Sequence, residues 1–170
     1  GSGIGSGAYA TYGTVSISGG SVKAKGGDQA RDIGDGYKSC LSQIYISGGS
    51  VDADTFSPNP CVSSSDSRKV YKTTVTLPGG TNTRVDALDI RQGGSSGTSY
   101  SYGGVNPANR SQNMNMTVDS NDSNSRKLYL WLPQDSDTYL SFTLYGKSGN
   151  ESYTDFHGAV DASNNSTLKL

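Results

Sequence analysis

The chain has 170 residues, 32% apolar and 17% charged, with 23 glycines and a formal charge of −1. Both shares are low for a globular protein, and Gly, Ser, Thr and Asn fill the gap. So balanced a charge gives no basic field for nucleic acid and no polybasic patch for a membrane surface, and no stretch approaches the roughly 18 apolar residues of a membrane helix.

Such a composition is compatible with disorder, but β-branched and aromatic residues recur in short alternating runs, and no ten-residue window carries a helical stripe. An all-β fold is expected. The opening Gly-Ser-Gly, without Met and without a signal-peptide pattern, is expected of a chain trimmed to a mature form or cut from something longer.

Residues 1–55 hold a repeat. Ile4-Gly5-x-Gly7 returns as Ile33-Gly34-x-Gly36, and Val15-x-Ile17-Ser18-Gly19-Gly20-Ser21-Val22-x-Ala24 returns as Ile44-x-Ile46-Ser47-Gly48-Gly49-Ser50-Val51-x-Ala53. Residues 3–26 on 32–55 share 10 identities in 24 positions at a constant offset of 29. A fixed period of that size, built from alternating apolar residues and a Gly-Gly corner, predicts stacked β-coils, here a short right-handed parallel β-solenoid. Within each coil, strands over Thr14–Ser18 and Ser21–Lys25 point Val15, Ile17, Val22 and Ala24 inward, with Gly19-Gly20 turning the chain between them. Stacking places Lys23 near Asp52 and Lys25 near Asp54, about 4.8 Å along the axis; exposed pairs of this kind are each worth well under ~1 kcal/mol. The run Gly3-Ile4-Gly5-Ser6-Gly7 precedes no helix and lacks a Lys-Ser/Thr ending, so it is coil-corner glycine, not a nucleotide loop.

Residues 56–67 contain two Pro and read as a linker or corner. Cys40 and Cys61 make an even pair 21 positions apart, and a disulfide between them would tie this segment to the second coil; two thiols in a reducing compartment is the alternative. From residue 68 to 170 the pattern becomes that of a small antiparallel β-sandwich. Tyr71–Leu77, Val85–Ile90, Met114–Val118, Lys127–Leu132, Tyr139–Tyr145 and Ser166–Leu170 alternate as strands, and residues 91–113 read mostly as loop. Leu128, Leu130 and Leu132 face the core with Leu140, Phe142 and Leu144.

The repeat block followed by Ile-Gly-x-Gly resembles Gly-rich repeats in large surface-exposed proteins of anaerobic, often gut-dwelling, bacteria, which look like a right-handed parallel β-helix. The pairing of Val70–Gly79 with Lys127–Pro133 is similar to the Ig-like module that follows such repeats. The resemblance covers about half the chain and implies a surface or adhesin-like setting, with no catalytic motif to transfer.

His157 is the only histidine, so a multi-His metal site is excluded; with Asp155 near it and no Gly-x-Ser-x-Gly, it reads as an exposed loop residue. Asp28, Asp32, Asp35, Asp52 and Asp54 are acidic enough for Ca²⁺ but match no calcium loop, and are expected to be surface turn residues. No cofactor and no metal is expected. Tyr129 and Trp131 alternate with the core leucines, and Tyr139 and Tyr145 lie on the matching outer face of another strand. This patch either stacks sugar rings or is covered by packing or an interface.

Six Asn-x-Ser/Thr sequons, at Asn109, Asn115, Asn121, Asn150, Asn164 and Asn165, are candidate glycosylation sites. The first coil carries no cap, leaving Ile4, Val15, Ile17 and Val22 at an assembly edge. The expected function is an extracellular structural or adhesive module, a head-to-tail filament subunit or part of a longer surface protein. A carbohydrate-binding module is the alternative and a polysaccharide-acting enzyme the third.

Overall fold

The computed structural model describes residues 1–40, 43–76, 84–99, 114–115, 127–146, 149–162 and 166–168. Among them there is no helix, and the fold is all-β. The N-terminal strands are β1 (Ile4–Gly5), β2 (Thr14–Lys23), β3 (Ile33–Gly34), β4 (Gln43–Asp52) and β5 (Phe56–Ser57). β2 lies parallel to β4, with Val15 opposite Ile44, Ile17 opposite Ile46 and Val22 opposite Val51. β1 lies parallel to β3 with Ile4 opposite Ile33. The repeat offset in the sequence is therefore the ladder register. Parallel neighbours need a crossover of a dozen or more residues, and one repeat supplies it without a helix.

Two details differ from the sequence reading. Gly19-Gly20 does not end a strand: β2 runs through it for 10 residues. Shifts in register at Ile17/Ser18 and Ser18/Ser21 absorb the irregularity. Gly20 and Gly49 take φ of 80° and 81°, which side chains resist. Phe56 and Ser57, read as the start of a linker, pair in parallel with Ile33 and Gly34. Cys61 then bridges Tyr45, so this segment forms a third, shorter tier.

The remaining strands are β6 (Val70–Thr76), β7 (Arg84–Gln92), β8 (Thr98–Ser99), β9 (Met114–Asn115), β10 (Lys127–Pro133), β11 (Asp135–Gly146), β12 (Gly149–Val160) and β13 (Ser166–Thr167). One sheet runs β10-β6-β13, and the other runs β12-β11-β7-β8 with β9 also on β7. β12 was not legible as a strand, because Gly149–Val160 carries no clean alternation; its long ladder with β11 forms it. A single buried cluster joins Ile17, Ile33, Ile44, Ile46 and Val51 of the parallel ladders to Val75, Leu128, Leu130, Leu132, Leu140 and Phe142 of the sheets.

Candidate functional site

The most developed site is where the parallel ladders meet the sheets. Leu128, Leu130 and Leu132 turn into the core, which sends Tyr129 and Trp131 to the other face of β10. β10 is an edge strand, and β4 covers it. The Tyr129 N–H donates to Ser50 Oγ at 2.9 Å, and Trp131 Nε1–H donates to the Val51 carbonyl at 2.9 Å. The indole meets the Phe56 ring edge-on, with centroids 4.6 Å apart. One backbone group of that edge, the Tyr129 N–H, is thereby satisfied from β4.

Lys72 lies opposite Trp131 in the β6–β10 ladder. Its Nζ is 2.8 Å from Asp54 Oδ1 and 3.4 Å from Asp52 Oδ1, and it sits 4.6 Å from the Tyr129 ring centroid. A cleft of about 470 Å³ opens beside these groups, lined in part by Asp54, Phe56, Lys69, Tyr71, Lys72 and Trp131. This arrangement corrects the expected Lys23–Asp52 and Lys25–Asp54 pairs. Lys23 does stand opposite Asp52 in register. The carboxylates of Asp52 and Asp54 nonetheless turn to Lys72, whose side chain is only 8% exposed and needs counter-charge more than a solvated lysine does. Lys25 lies 3.8 Å from Asp32 instead.

Asp32 is buried and holds the tiers together. Its Oδ1 accepts from the Gly26 N–H at 2.9 Å, and its Oδ2 accepts from the N–H groups of Asp54 and Thr55 at 2.8 and 3.1 Å. Burial pushes its pKa up, but these three backbone donors and the charge of Lys25 outweigh burial and hold it below the usual value. Asp32 is thus no surface turn residue. Asp35 likewise takes the Ser57 hydroxyl. Among the described residues no group of three or more His, Cys, Asp or Glu is arranged to hold a metal ion.

The expected aromatic patch is dispersed. Trp131 is 6% exposed and Tyr139 is buried, so neither offers a free ring face to a sugar. Tyr139 packs on His157 with centroids 5.7 Å apart, and the side chain of Tyr145 lies outside the described residues. His157 is on β12 opposite Tyr139 and not in a loop; its Nδ1 is 3.2 Å from Asp137 Oδ1. Cys40 is exposed and bridges Thr11, while half-buried Cys61 bridges Tyr45 and Lys69; the two are not bonded to each other in the structure. Asn115 and Asn150 lie on β9 and β12, and Asn109, Asn121, Asn164 and Asn165 lie outside the described residues. Of the expected assembly edge, Ile17 is buried, whereas Ile4, Val15 and Val22 are half-buried.

Sequence reasoning missed an exposed aromatic corner. Tyr9 and Tyr12 are 69% and 83% exposed, and Tyr9 meets Tyr37 edge-on at 6.0 Å. Lys38 Nζ lies 5.3 Å from the Tyr37 ring centroid. Tyr9 and Lys38 are equivalent positions of the repeat, and both have positive φ, 60° and 51°. The signal was present in the aligned copies, as two tyrosines one position apart at the same point of the repeat. Comparison of the chain with protein-family models, with curated proteins and with solved structures finds no match.

Proposed function

We propose that the chain is an extracellular structural and adhesive module, a short right-handed parallel β-solenoid closed at one end by a small Ig-like β-sandwich, working by assembly and attachment without chemistry. The observation that carries this reading is the junction: Trp131, Tyr129 and Lys72 bind Val51, Ser50, Asp52 and Asp54, so ladders and sheets share one core. A continuous core of that kind suits a piece that transmits position along its length. Because the sheets lie against the far end of the ladders, the reading favours the last coils of a longer stack within a surface protein over a head-to-tail filament of copies. Glycan on the sequons belongs to the same proposal. Protease treatment of intact source cells tests location: peptides of this chain released without lysis are expected. Recovery only after lysis would overturn it.

The exposed Tyr9, Tyr12 and Tyr37 rings favour a second reading, a carbohydrate-binding surface at the coil corner. Glycan-array binding lost in Tyr12→Ala supports it, and an array without signal removes it.

A further inference from the structure

The two copies of the repeat have nearly the same sequence and different surroundings. Gly5, Gly7, Gly20 and Ser21 are exposed, while their equivalents Gly34, Gly36, Gly49 and Ser50 are buried. Gly7 and Gly36 make the cleanest comparison, because neither has the positive φ that would itself demand glycine. A Cβ placed on Gly36 would lie 2.6 Å from the Ser6 carbonyl oxygen and 2.9 Å from that of Gly7, so the preceding coil forbids any side chain there. A Cβ on Gly7 would meet nothing within 4 Å. The same holds one corner on: a Cβ on Gly49 would lie 2.8 Å from Gly20 O, whereas Gly19 and Gly20 face open space. β9 comes near β2 without filling these positions.

The contacts have a fixed direction. Ser6 Oγ reaches the next coil, 2.8 Å from Ser39 Oγ, and its repeat equivalent Asp35 reaches the third tier at Ser57. Each coil thus accepts its predecessor on the Gly7/Gly36 side and grips its successor through the Ser6/Asp35 side. In the first coil the gripping side is used, and on the accepting side no described residue fills the space at Gly7, Gly19 or Gly20.

We propose that this N-terminal face is built to receive one further parallel coil carrying the same 29-residue repeat, stacked in register on β1 and β2. A second copy of this chain cannot supply such a coil from its far end, because residues 68–70 pair antiparallel with the third tier at Cys61 there, and Trp131 takes the Val51 carbonyl of β4. Nor can two N-terminal faces meet in parallel register while keeping both cores on the same side. The inference rests on the solenoid reading but not on location or adhesion, so failure of the cell-surface test leaves it intact.

The experiment duplicates residues 1–29 ahead of Gly1 in the full chain and compares it with the unextended chain. Backbone hydrogen exchange at Thr14, Ser16 and Lys23, whose amides alternate with those bonded to β4 and so face the open edge, is expected to slow by about tenfold or more in the extended protein. Gly7→Ala is expected to leave the melting temperature of the unextended chain unchanged and to lower that of the extended chain by about 4 °C or more. Unchanged exchange in β2, or a Gly7→Ala substitution equally harmless in both chains, would overturn the proposal. So would an unextended chain that dimerises with these edge amides already protected, since a second copy would then be the occupant.

Discussion

Trp131 and Val51 stand 80 positions apart, and the indole N–H of the one donates to the carbonyl oxygen of the other over 2.9 Å. Both groups are buried, so the bond matters more for what its loss leaves behind than for its own strength. Trp131→Phe keeps most of the ring volume but orphans the Val51 carbonyl, and is expected to cost about 1–3 kcal/mol. Trp131→Ala also loses the packing on Phe56 and is expected to cost about 3–5 kcal/mol. Urea unfolding followed by circular dichroism measures both. Equal stability of Trp131→Phe and the parent would show that the junction bond contributes nothing.

Lys72 supports the same junction through charge. Asp52 and Asp54 stay partly in water, 32% and 62% exposed, so removing their partner strands neither fully. Lys72→Ala is therefore expected to cost about 1–3 kcal/mol, below the penalty of breaking a fully buried pair. Lys72→Met, which keeps the stem beneath Tyr129, should recover part of it. A double-mutant cycle with Asp54→Asn reads the coupling directly, and a coupling within error of zero would refute the pairing.

What the sequence displayed and what it hid follow from the range of the interactions. The repeat offset is local information that survives in the ladder register, because Val15, Ile17 and Val22 meet their own equivalents. The alternation of Leu128, Leu130 and Leu132 likewise announced a buried face. The partners of the opposite face were not legible: Trp131 finds Val51, and Lys72 draws Asp52 and Asp54 away from the lysines aligned with them. Nothing in either segment alone encodes that docking. β12 escaped for a related reason, since its strand character comes from pairing with β11 and not from its own pattern.

Asp32 makes stability depend on pH with a definite sign. Its folded pKa is held below the ordinary value of 3.8, so its contribution is full above that value and is lost as pH falls through the folded one. Acidification below about pH 4 is expected to lower the unfolding free energy. Asp32→Asn is expected to be less stable at neutral pH by about 2–3 kcal/mol, having exchanged a charged acceptor of three N–H groups for a neutral one. It should also lose less on acidification. Asp66, lowered mainly by its hydrogen bond from Arg68, titrates in both proteins and cancels in the comparison. Parallel stability curves for the two proteins down to pH 2 would exclude this role for Asp32.

Gly34 and Gly93 separate backbone angle from available space. Both have positive φ, 126° and 83°. Gly34 lies between β1 and β5, and a Cβ there would run into the Ser57 backbone, while a Cβ on Gly93 would meet nothing within 4 Å. Gly93→Ala is expected to cost only the angular strain, about 1–2 kcal/mol. Gly34→Ala adds a clash with main chain that no rotamer relieves, and is expected to exceed about 3 kcal/mol or to separate the third tier from the second. Chemical denaturation compares the two, and hydrogen exchange at Ile33, whose N–H donates to Thr55 O, tells which tier opened. Equal costs at the two glycines, with Ile33 still protected, would mean that the third tier does not press on Gly34.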